Sequence, residues 1–593
     1  MKKMGMYSLK EHKYRMNSAR QHIENIRSCY LSIDEELVLS SLKNSVECII
    51  LFFGWDGAFI AEFINNADDA KSTKLRIEFT ENCIKMVNDG APLNHDDVNS
   101  LCMVGYSPKQ RKDTHPSSGT GFKSAFMVSD HIELYSGEYS FMFSKAHWQN
   151  PKNIPWQLIP IWIDTTDQLI PDGFNTLFRI EIKAPYLMER LRRAAFDEHI
   201  QPKALLFLES IERIELKDYT SNTHRYIDKK LIKKTPEYAI YRLKESVNGS
   251  ERPYEDWLLF TSMASVPERV LTELSPSETI PSNQTGKMSI AFRLHKDGDL
   301  LLTGLGYPVQ FSTSLSRKKT RTRFNFLVQA DFLSCPLQPD SVEENPWNRW
   351  LCGEIYRMLV KRCIPVFLKD PRWSKSFLEV LYPAEQSADR LLEEAINKPL
   401  KKYLEEEAVL TALDGSAVRA KDALLIMSSK IKDLLSSEEL KALYPDKKVL
   451  HPALKIPYEI KKLIKEGPDY SDTYGANKEL LKLLELKASV KEMKFFKRFY
   501  HHLSEFAEVL RNSYLKYSNI VLTESWELVD PGFAYIKKPS LSVPDRLKDT
   551  VKVVHPELAS DSIIKNTLKL LGVEELTQEY IEAMLQIKDK FRI

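Results

Sequence analysis

The stretch AEFINNADDA, residues 61–70, decides how the first part of this 593-residue chain is interpreted. On a helix, Glu62, Asn66 and Asp69 share one face because they lie about one turn apart. The opposite face is apolar and contains Phe59, Ile60, Phe63, Ile64 and Ala67. A carboxylate one turn from a carboxamide can orient a water while the amide oxygen binds Mg²⁺. The alternative interpretation is the solvated face of an amphipathic helix.

A second stretch, MVNDGAPL at 86–93, takes a strand into an Asn-Asp-Gly sequence that is typical of turns. One interpretation is a plain turn. In the other, Asp89 points into a pocket, where its carboxylate accepts a hydrogen bond from an exocyclic amine such as that of adenine.

A third stretch, SSGTGFKSAFMVSD at 117–130, places Gly119 and Gly121 before an apolar helical run. Free backbone N–H groups at such a turn can bind phosphates, and Lys123 would add a mobile positive charge. The pattern matches neither a Walker loop nor a dinucleotide-binding fingerprint. A purely structural turn is the alternative.

Around these stretches helices and strands alternate. A helix is predicted over 56–70 and another over 121–129, while LRIEF (75–79) and IKMV (84–87) predict paired strands. IELYS and YSFMFS, joined by Gly-Glu, predict a hairpin, and LFRIEI (177–182) predicts another strand. This order predicts an α/β sandwich. Beyond about 347 the pattern is helical, and no fixed-period repeat is found.

The order and spacing of the three stretches resemble the GHKL ATPase superfamily. GTGFKSAFMVSD is similar to the GVGFYSAFLVAD of the ninety-kilodalton heat-shock chaperone, and the sacsin and NO VEIN branch resembles the chain more closely. INNADDA resembles the QNADDA of that branch, GFKSAF its GIGFKSVF, and GYSPK (105–109) its lid segment. The resemblance covers 46–370. It implies a two-layer GHKL α/β sandwich and a bacterial origin.

The resemblance also implies roles for single residues. Glu62 orients the attacking water, and Asn66 binds Mg²⁺. Asp89 accepts from the adenine amine, and Thr176 supports that aspartate. The remaining implied nucleotide contacts are Asp69, Gly90 and Met103 near the base, and Gly119, Thr120, Gly121, Phe122 and Lys123 at the phosphates. Pro116 replaces the first glycine of the motif, which makes the hinge of the lid stiffer.

Four regions are predicted. They are an N-terminal helical segment (1–45), the ATP-binding domain (46–220), an α+β middle domain (221–370) and a mostly α-helical C-terminal region (371–593). The resemblance implies Mg²⁺-dependent ATP binding and slow hydrolysis that drives a conformational change, in a sacsin-like chaperone or an antiviral defence ATPase. The C-terminal region would form a homodimer or bind a partner protein.

Two other functions fit parts of the pattern. A nucleotide-gated binding module with little hydrolysis is favoured by Pro116. A histidine kinase needs a phosphoacceptor histidine before the ATPase module, and neither of the upstream histidines, His12 and His22, is followed by the usual acidic residue.

The charge of the chain gives further information about its partners and location. The formal net charge of +2 provides no whole-molecule attraction to nucleic acid or membrane. The apolar stretch from Val46 contains Glu47, Asp56 and Glu62, which predicts a buried helix rather than a membrane span, in a cytoplasmic protein.

The loop SRKKTRTRF (316–324) is locally basic through Arg317, Lys318, Lys319, Arg321 and Arg323. It could deliver a cation to the γ-phosphate, contact nucleic acid or form an exposed hairpin tip.

Overall fold

The largest feature of the fold is a mixed sheet of fifteen described strands. It lies in the first of the two units, Met1–Lys402 and Tyr403–Ile593, of the computed structural model. The structure describes residues 18–33, 36–52, 58–104, 121–164, 169–274, 284–302, 307–311, 321–333, 344–383, 389–426, 435, 437–468, 470–471, 475–506, 510 and 512–591.

The strands of the sheet are β1 (Lys74–Phe79), β2 (Cys83–Asn88), β3 (His131–Ser136), β4 (Tyr139–Ser144), β5 (Ile161–Trp162), β6 (Thr176–Glu181), β7 (Arg213–Asp218), β8 (Thr223–Lys234), β9 (Ala239–Val247), β10 (Ser250–Glu251), β11 (Glu255–Ser265), β12 (Thr285–Leu294), β13 (Tyr307–Phe311), β14 (Arg321–Phe324) and β15 (Leu327–Ala330). Their order is β14-β13-β15-β12-β11-β9-β8-β7-β1-β2-β6-β3-β4-β5, with β10 beside β9. β1 pairs with β7 in parallel and with β2 antiparallel.

The helices of this unit are α1 (18–31), α2 (Glu36–Phe52), α3 (Ala58–Asp69), α4 (His95–Cys102), α5 (Pro185–Arg193), α6 (Glu268–Glu273), α7 (Pro346–Met358), α8 (Ile364–Lys369), α9 (Phe377–Leu381), α10 (Arg390–Leu392) and α11 (Lys398–Glu406). A 3₁₀ helix, Gly121–Met127, follows α4. The predicted helix at 121–129 is therefore wound more tightly than an α-helix.

Apolar side chains at every second position of the strands join α3, α5 and the 3₁₀ helix in one core. Ile77 of β1, Ile84 of β2 and Ile132 of β3 are fully buried in it. The predicted apolar face of α3 lies here, since Phe59, Ile60, Phe63, Ile64 and Ala67 are all buried. This packing confirms the prediction of a mixed α/β fold for this part of the chain.

The predicted boundary between an ATP-binding domain and a middle domain falls inside a hairpin. β7 and β8 are joined by the turn that contains residue 220, and they pair antiparallel along the whole of β7. The two predicted regions therefore contribute to one continuous sheet.

The second unit contains mainly helices, as predicted for the C-terminal region, together with short strands. Its helices are α12 (Ser437–Leu443), α13 (Tyr458–Lys461), α14 (Lys478–Ser489), α15 (Met493–Ser504), α16 (Pro556–Ala559), α17 (Ser562–Leu570) and α18 (Gln578–Phe591). Its strands are β16 (Leu410–Thr411), β17 (Ala417–Val418), β18 (Ala423–Leu425), β19 (Lys448–Val449), β20 (Lys465–Glu466), β21 (Tyr470–Ser471), β22 (Gly475–Ala476), β23 (Val521–Leu522), β24 (Leu528–Val529), β25 (Ala534–Ile536), β26 (Lys552–Val553) and β27 (Glu574–Glu575).

The second unit contains one motif twice, at 410–467 and 521–576. In each copy an antiparallel ribbon leads through a 3₁₀ turn into a strand that has a parallel neighbour on either side. The amide of His451 donates to the Thr411 carbonyl and that of His555 to the Leu522 carbonyl, both at 3.0 Å. The sequences VLHPAL and VVHPEL stand at this point of the two copies. The two copies do not repeat with a fixed period, because the loops between their strands differ in length.

In the part of the chain that the structure describes, no helix combines the length and the apolar character needed to cross a bilayer.

Candidate functional site

Three neighbouring strands carry a row of polar side chains on the face that the helices cover. Asn88 of β2 lies opposite Thr176 of β6, and Thr176 lies opposite Ser136 of β3. The Thr176 and Ser136 hydroxyl oxygens are 2.7 Å apart, and Ser136 also accepts from the Leu93 amide at 2.9 Å. All three side chains of the row are buried. The row lies at the end of the apolar core, where hydrogen-bonding groups replace apolar side chains. It includes the predicted residue Thr176.

The turn after β2 lies tightly against the end of α3. The Ala91 amide donates to the Ala70 carbonyl at 2.8 Å, and a Cβ atom on Gly90 would lie 2.8 Å from that carbonyl oxygen. Only glycine fits this approach. Asn175 closes the turn from the other side, because its amide donates to the carbonyls of Asp89 and Gly90 at 2.9 and 3.0 Å. Gly90 therefore sets the distance between α3 and the polar row.

Asp89 does not belong to the polar row, which corrects the predicted placement of its carboxylate in the base pocket. Its oxygens accept from the Ser72 and Thr73 hydroxyls at 2.6 Å and from the Thr73 and Lys74 amides at 2.8 Å. Burial alone would raise the pKa of Asp89, but these hydrogen bonds outweigh it and hold the pKa below its usual range. The carboxylate therefore fixes the connection between α3 and β1.

We expect Asp89→Asn to destabilise the first unit, because an amide N–H would face the donors that Asp89 now accepts from. The loss is about 1.5–3 kcal/mol, measured as a fall in the thermal or denaturant midpoint. The folded pKa is depressed, so this contribution is present above the unfolded pKa of about 3.9 and is lost as the pH falls through the lower folded value. Glu81→Gln, an exposed acid in the β1–β2 turn, is the control. Equal midpoints for both variants would contradict this role of Asp89.

Glu62 of α3 lies directly against Gly121, the first residue of the 3₁₀ helix. A Cβ atom on Gly121 would come within 2.9 Å of Glu62 Cδ and closer still to Oε2. The residue predicted to orient water and the glycine predicted at the phosphate turn are therefore in contact, although they are far apart in the sequence. Asn66 and Asp69 lie on the same side of α3 and are exposed.

The remaining predicted residues have different positions. Met103, just after α4, is 45% exposed. Gly119 and Thr120 lie outside the described residues, as do the lid segment 105–109, Pro116 and most of the basic loop 316–324. Within the described ranges, no group of three or more His, Cys, Asp or Glu side chains could hold a metal ion.

Phe122 is a core residue of the 3₁₀ helix. Its ring packs against Phe63, Phe126, Phe143 and Phe178, with ring centroids 5.6 to 6.1 Å apart. Phe122 therefore anchors the helix that begins at Gly121, and its role at the phosphates stays a prediction.

Lys123 is buried, which corrects the prediction of a mobile positive charge. Its side chain is 1% exposed, and its ammonium donates to the Leu101 carbonyl in the last turn of α4. Burial lowers the pKa of Lys123 to about 8, although the neighbouring Cys102 thiol acts in the opposite direction. Lys123 therefore ties the 3₁₀ helix to the end of α4, directly before the predicted lid.

The stability of the first unit should depend on pH through Lys123. The folded pKa is about 8 and the unfolded pKa about 10.4, so between these values the unfolded chain binds the proton that the folded chain has lost. Stability therefore rises with pH across this window. The difference in unfolding free energy between the unmodified chain and Lys123→Met, measured at pH 7.5 and 9.5, isolates the effect. A difference that does not change with pH would contradict it.

Asn88 and Ser136 are the residues of this site that the sequence analysis missed. The alternation of side chains along β2 could have identified Asn88. Ile84 and Met86 face the core, and the next residue on that face, two positions further, is Asn88. The prediction named the next residue, Asp89, whose side chain lies on the opposite face.

The chain is similar to Protein NO VEIN of Arabidopsis thaliana, with 23% identity over 340 residues. The alignment covers 54% of this chain and 12% of that plant protein. Among solved structures, the N-terminal domain of a DNA repair protein aligns with 31% of this chain and 65% of that chain, with a TM-score of 0.19 and 11% identity. No protein-family profile matches the chain. The alignment therefore supports a relationship to NO VEIN, and the roles of single residues depend on the geometry above.

Proposed function

We propose that this chain binds ATP with Mg²⁺ and hydrolyses it slowly, in the manner of GHKL ATPases. The observation that carries the proposal is the contact between Glu62 and Gly121. A carboxylate held at the start of the phosphate turn is suitably placed to orient a water toward a phosphate. The sequence resemblance to GHKL ATPases supports the same assignment.

The nucleotide would lie between α3 and the 3₁₀ helix, with its base toward the polar row. Asn88, Thr176 and Ser136 offer the hydrogen-bonding groups at that end, and Glu62 lies at the phosphate end. Asp69 and Met103 are exposed, which leaves them accessible to the edge of the base.

Asn66 would provide the protein ligand for Mg²⁺. Its side chain is exposed one turn beyond Glu62, and an amide oxygen is a ligand that this hard cation accepts. The ion would neutralise phosphate charge and take most of its ligands from phosphate and water. Glu62 would hold the attacking water and take up its proton.

The proposal is tested by ATP titration and a steady-state hydrolysis assay on the full chain, with Mg²⁺ and with a chelator. Binding with Mg²⁺-dependent turnover would support it. Binding without turnover would favour the nucleotide-gated binding module, and the absence of both would reject a nucleotide function. Because turnover in this class is coupled to conformation, the change would be transmitted to a partner protein or a second copy of the chain.

The basic loop 316–324 is proposed to supply positive charge to the γ-phosphate when the nucleotide site closes. Neutralising its five basic residues would then lower turnover and leave ATP affinity within a few-fold. A loss of nucleic-acid binding with unchanged turnover would instead assign the loop to a phosphate backbone.

A further inference from the structure

We propose that the base pocket of this chain presents hydrogen-bond donors from Asn88 where a carboxylate would present acceptors, so that guanine is accepted about as well as adenine. The inference deepens the proposed nucleotide function and rests on it. It concerns only the end of the site formed by the polar row.

The orientation of the Asn88 amide is fixed by the backbone. Its Oδ1 accepts from the Gly90 N–H at 3.1 Å. A backbone N–H can only donate, so the oxygen must be the end that faces Gly90. The turn that contains Gly90 is itself held against α3 and by Asn175, which prevents the amide from exchanging its ends.

The other end of the amide is therefore a donor. Asn88 Nδ2 carries two N–H groups and donates no hydrogen bond within the described part of the chain, where the side chain is bonded only through Oδ1. The side chain lies on the core face of β2, next to Thr176 on β6. These N–H groups are thus available to a ligand that enters between the sheet and α3.

Among the described residues of the row itself, no carboxylate lies beside Asn88 to restore an acceptor. Thr176 and Ser136 contribute hydroxyls that bond to each other, and Asp89 uses both of its oxygens at Ser72, Thr73 and Lys74. The row across β2, β6 and β3 is therefore one amide and two hydroxyls. A hydroxyl can serve as donor or acceptor and so does not discriminate between bases.

The two purines differ at the groups that this row would meet. Adenine has an amine, which donates, where guanine has the O6 carbonyl, which accepts, and both carry an acceptor at N7. A carboxylate selects the adenine amine and repels the guanine carbonyl. The Asn88 N–H groups fit guanine O6 or a purine ring nitrogen, and therefore remove the selection for adenine.

The test is a titration of ATP and of GTP, each with Mg²⁺, on the full chain and on two variants. The unmodified chain should bind both nucleotides with dissociation constants within about tenfold of each other. Asn88→Asp should move the ratio toward ATP by about 10- to 100-fold, because it replaces a donor by a charged acceptor. Asp89→Asn, the reverse change at the next residue, should leave the ratio unchanged.

The outcomes separate this inference from the proposed function. Preference of the unmodified chain for ATP by more than about 100-fold, or an unchanged ratio in Asn88→Asp, would overturn the inference while nucleotide binding stands. Binding of neither nucleotide would overturn the proposed function. If Asn88→Asp does not fold, Asn88→Ala decides, because removing the donor should weaken GTP by about tenfold and ATP by less. Equal losses for the two nucleotides would reject the inference.

Discussion

Glu62→Gln is expected to lower ATP turnover by about 10²-fold or more and to leave ATP affinity within a few-fold. The substitution keeps the shape of the side chain and removes its ability to take up a proton. A drop of this size is usual when a general base is lost. The effect should appear in kcat, because Glu62 acts on the water and not on the bound nucleotide.

The measurement is a steady-state assay together with an ATP titration on the same preparation. Glu81→Gln removes an exposed acid from the β1–β2 turn and serves as the matched control. Turnover at the unmodified rate in Glu62→Gln would show that another group orients the water.

Gly121→Ala is expected to weaken ATP binding by at least about tenfold and to remove most of the turnover. The added methyl group would overlap the Glu62 carboxylate, so either Glu62 leaves its position or the 3₁₀ helix shifts. Both movements disturb the contact on which the proposed function rests. Gly353→Ala is the control, since a methyl group there meets no atom within 4 Å.

The double variant Gly121→Ala/Glu62→Ala tests whether the clash is the cause. Removing the carboxylate makes room for the methyl group, so ATP affinity should return to within a few-fold of that of Glu62→Ala alone. Turnover should remain low, because the general base is absent. Additive losses in affinity would show that Gly121 is needed for its backbone freedom and not for its contact with Glu62.

Elements with a strong local pattern could be predicted from the sequence. The apolar face of α3 and the β1–β2 and β3–β4 pairs follow from periodicity, which reports the face that each side chain occupies. The pattern does not report which strands meet when they are distant in the chain. The continuous sheet through β7 and the duplicated motif of the second unit were therefore beyond local reasoning.

The errors at the site have two different physical causes. Asp89 was chosen because a carboxylate is the usual partner of an amine, but the two-residue repeat of β2 places Asn88 on the core face. Lysines are seldom buried, so the sequence predicts a mobile Lys123, whereas in the structure its ammonium donates to Leu101 of another helix. Chemistry suggested the residue type in both cases, and tertiary packing determined where the side chain lies.

The parallel pairing of β1 with β7 has a consequence for how the protein is made. Arg76 and Glu215 bond across this pair at 2.7 Å and are 139 positions apart in the chain. During synthesis β1 is complete long before β7 has been made. In that interval the unpaired edge of β1 can pair with other chains. A fragment cut at residue 220 keeps β7 but removes β8, which leaves β7 as an unprotected edge strand. A fragment that ends near Lys402 retains every partner that these strands have in the sheet.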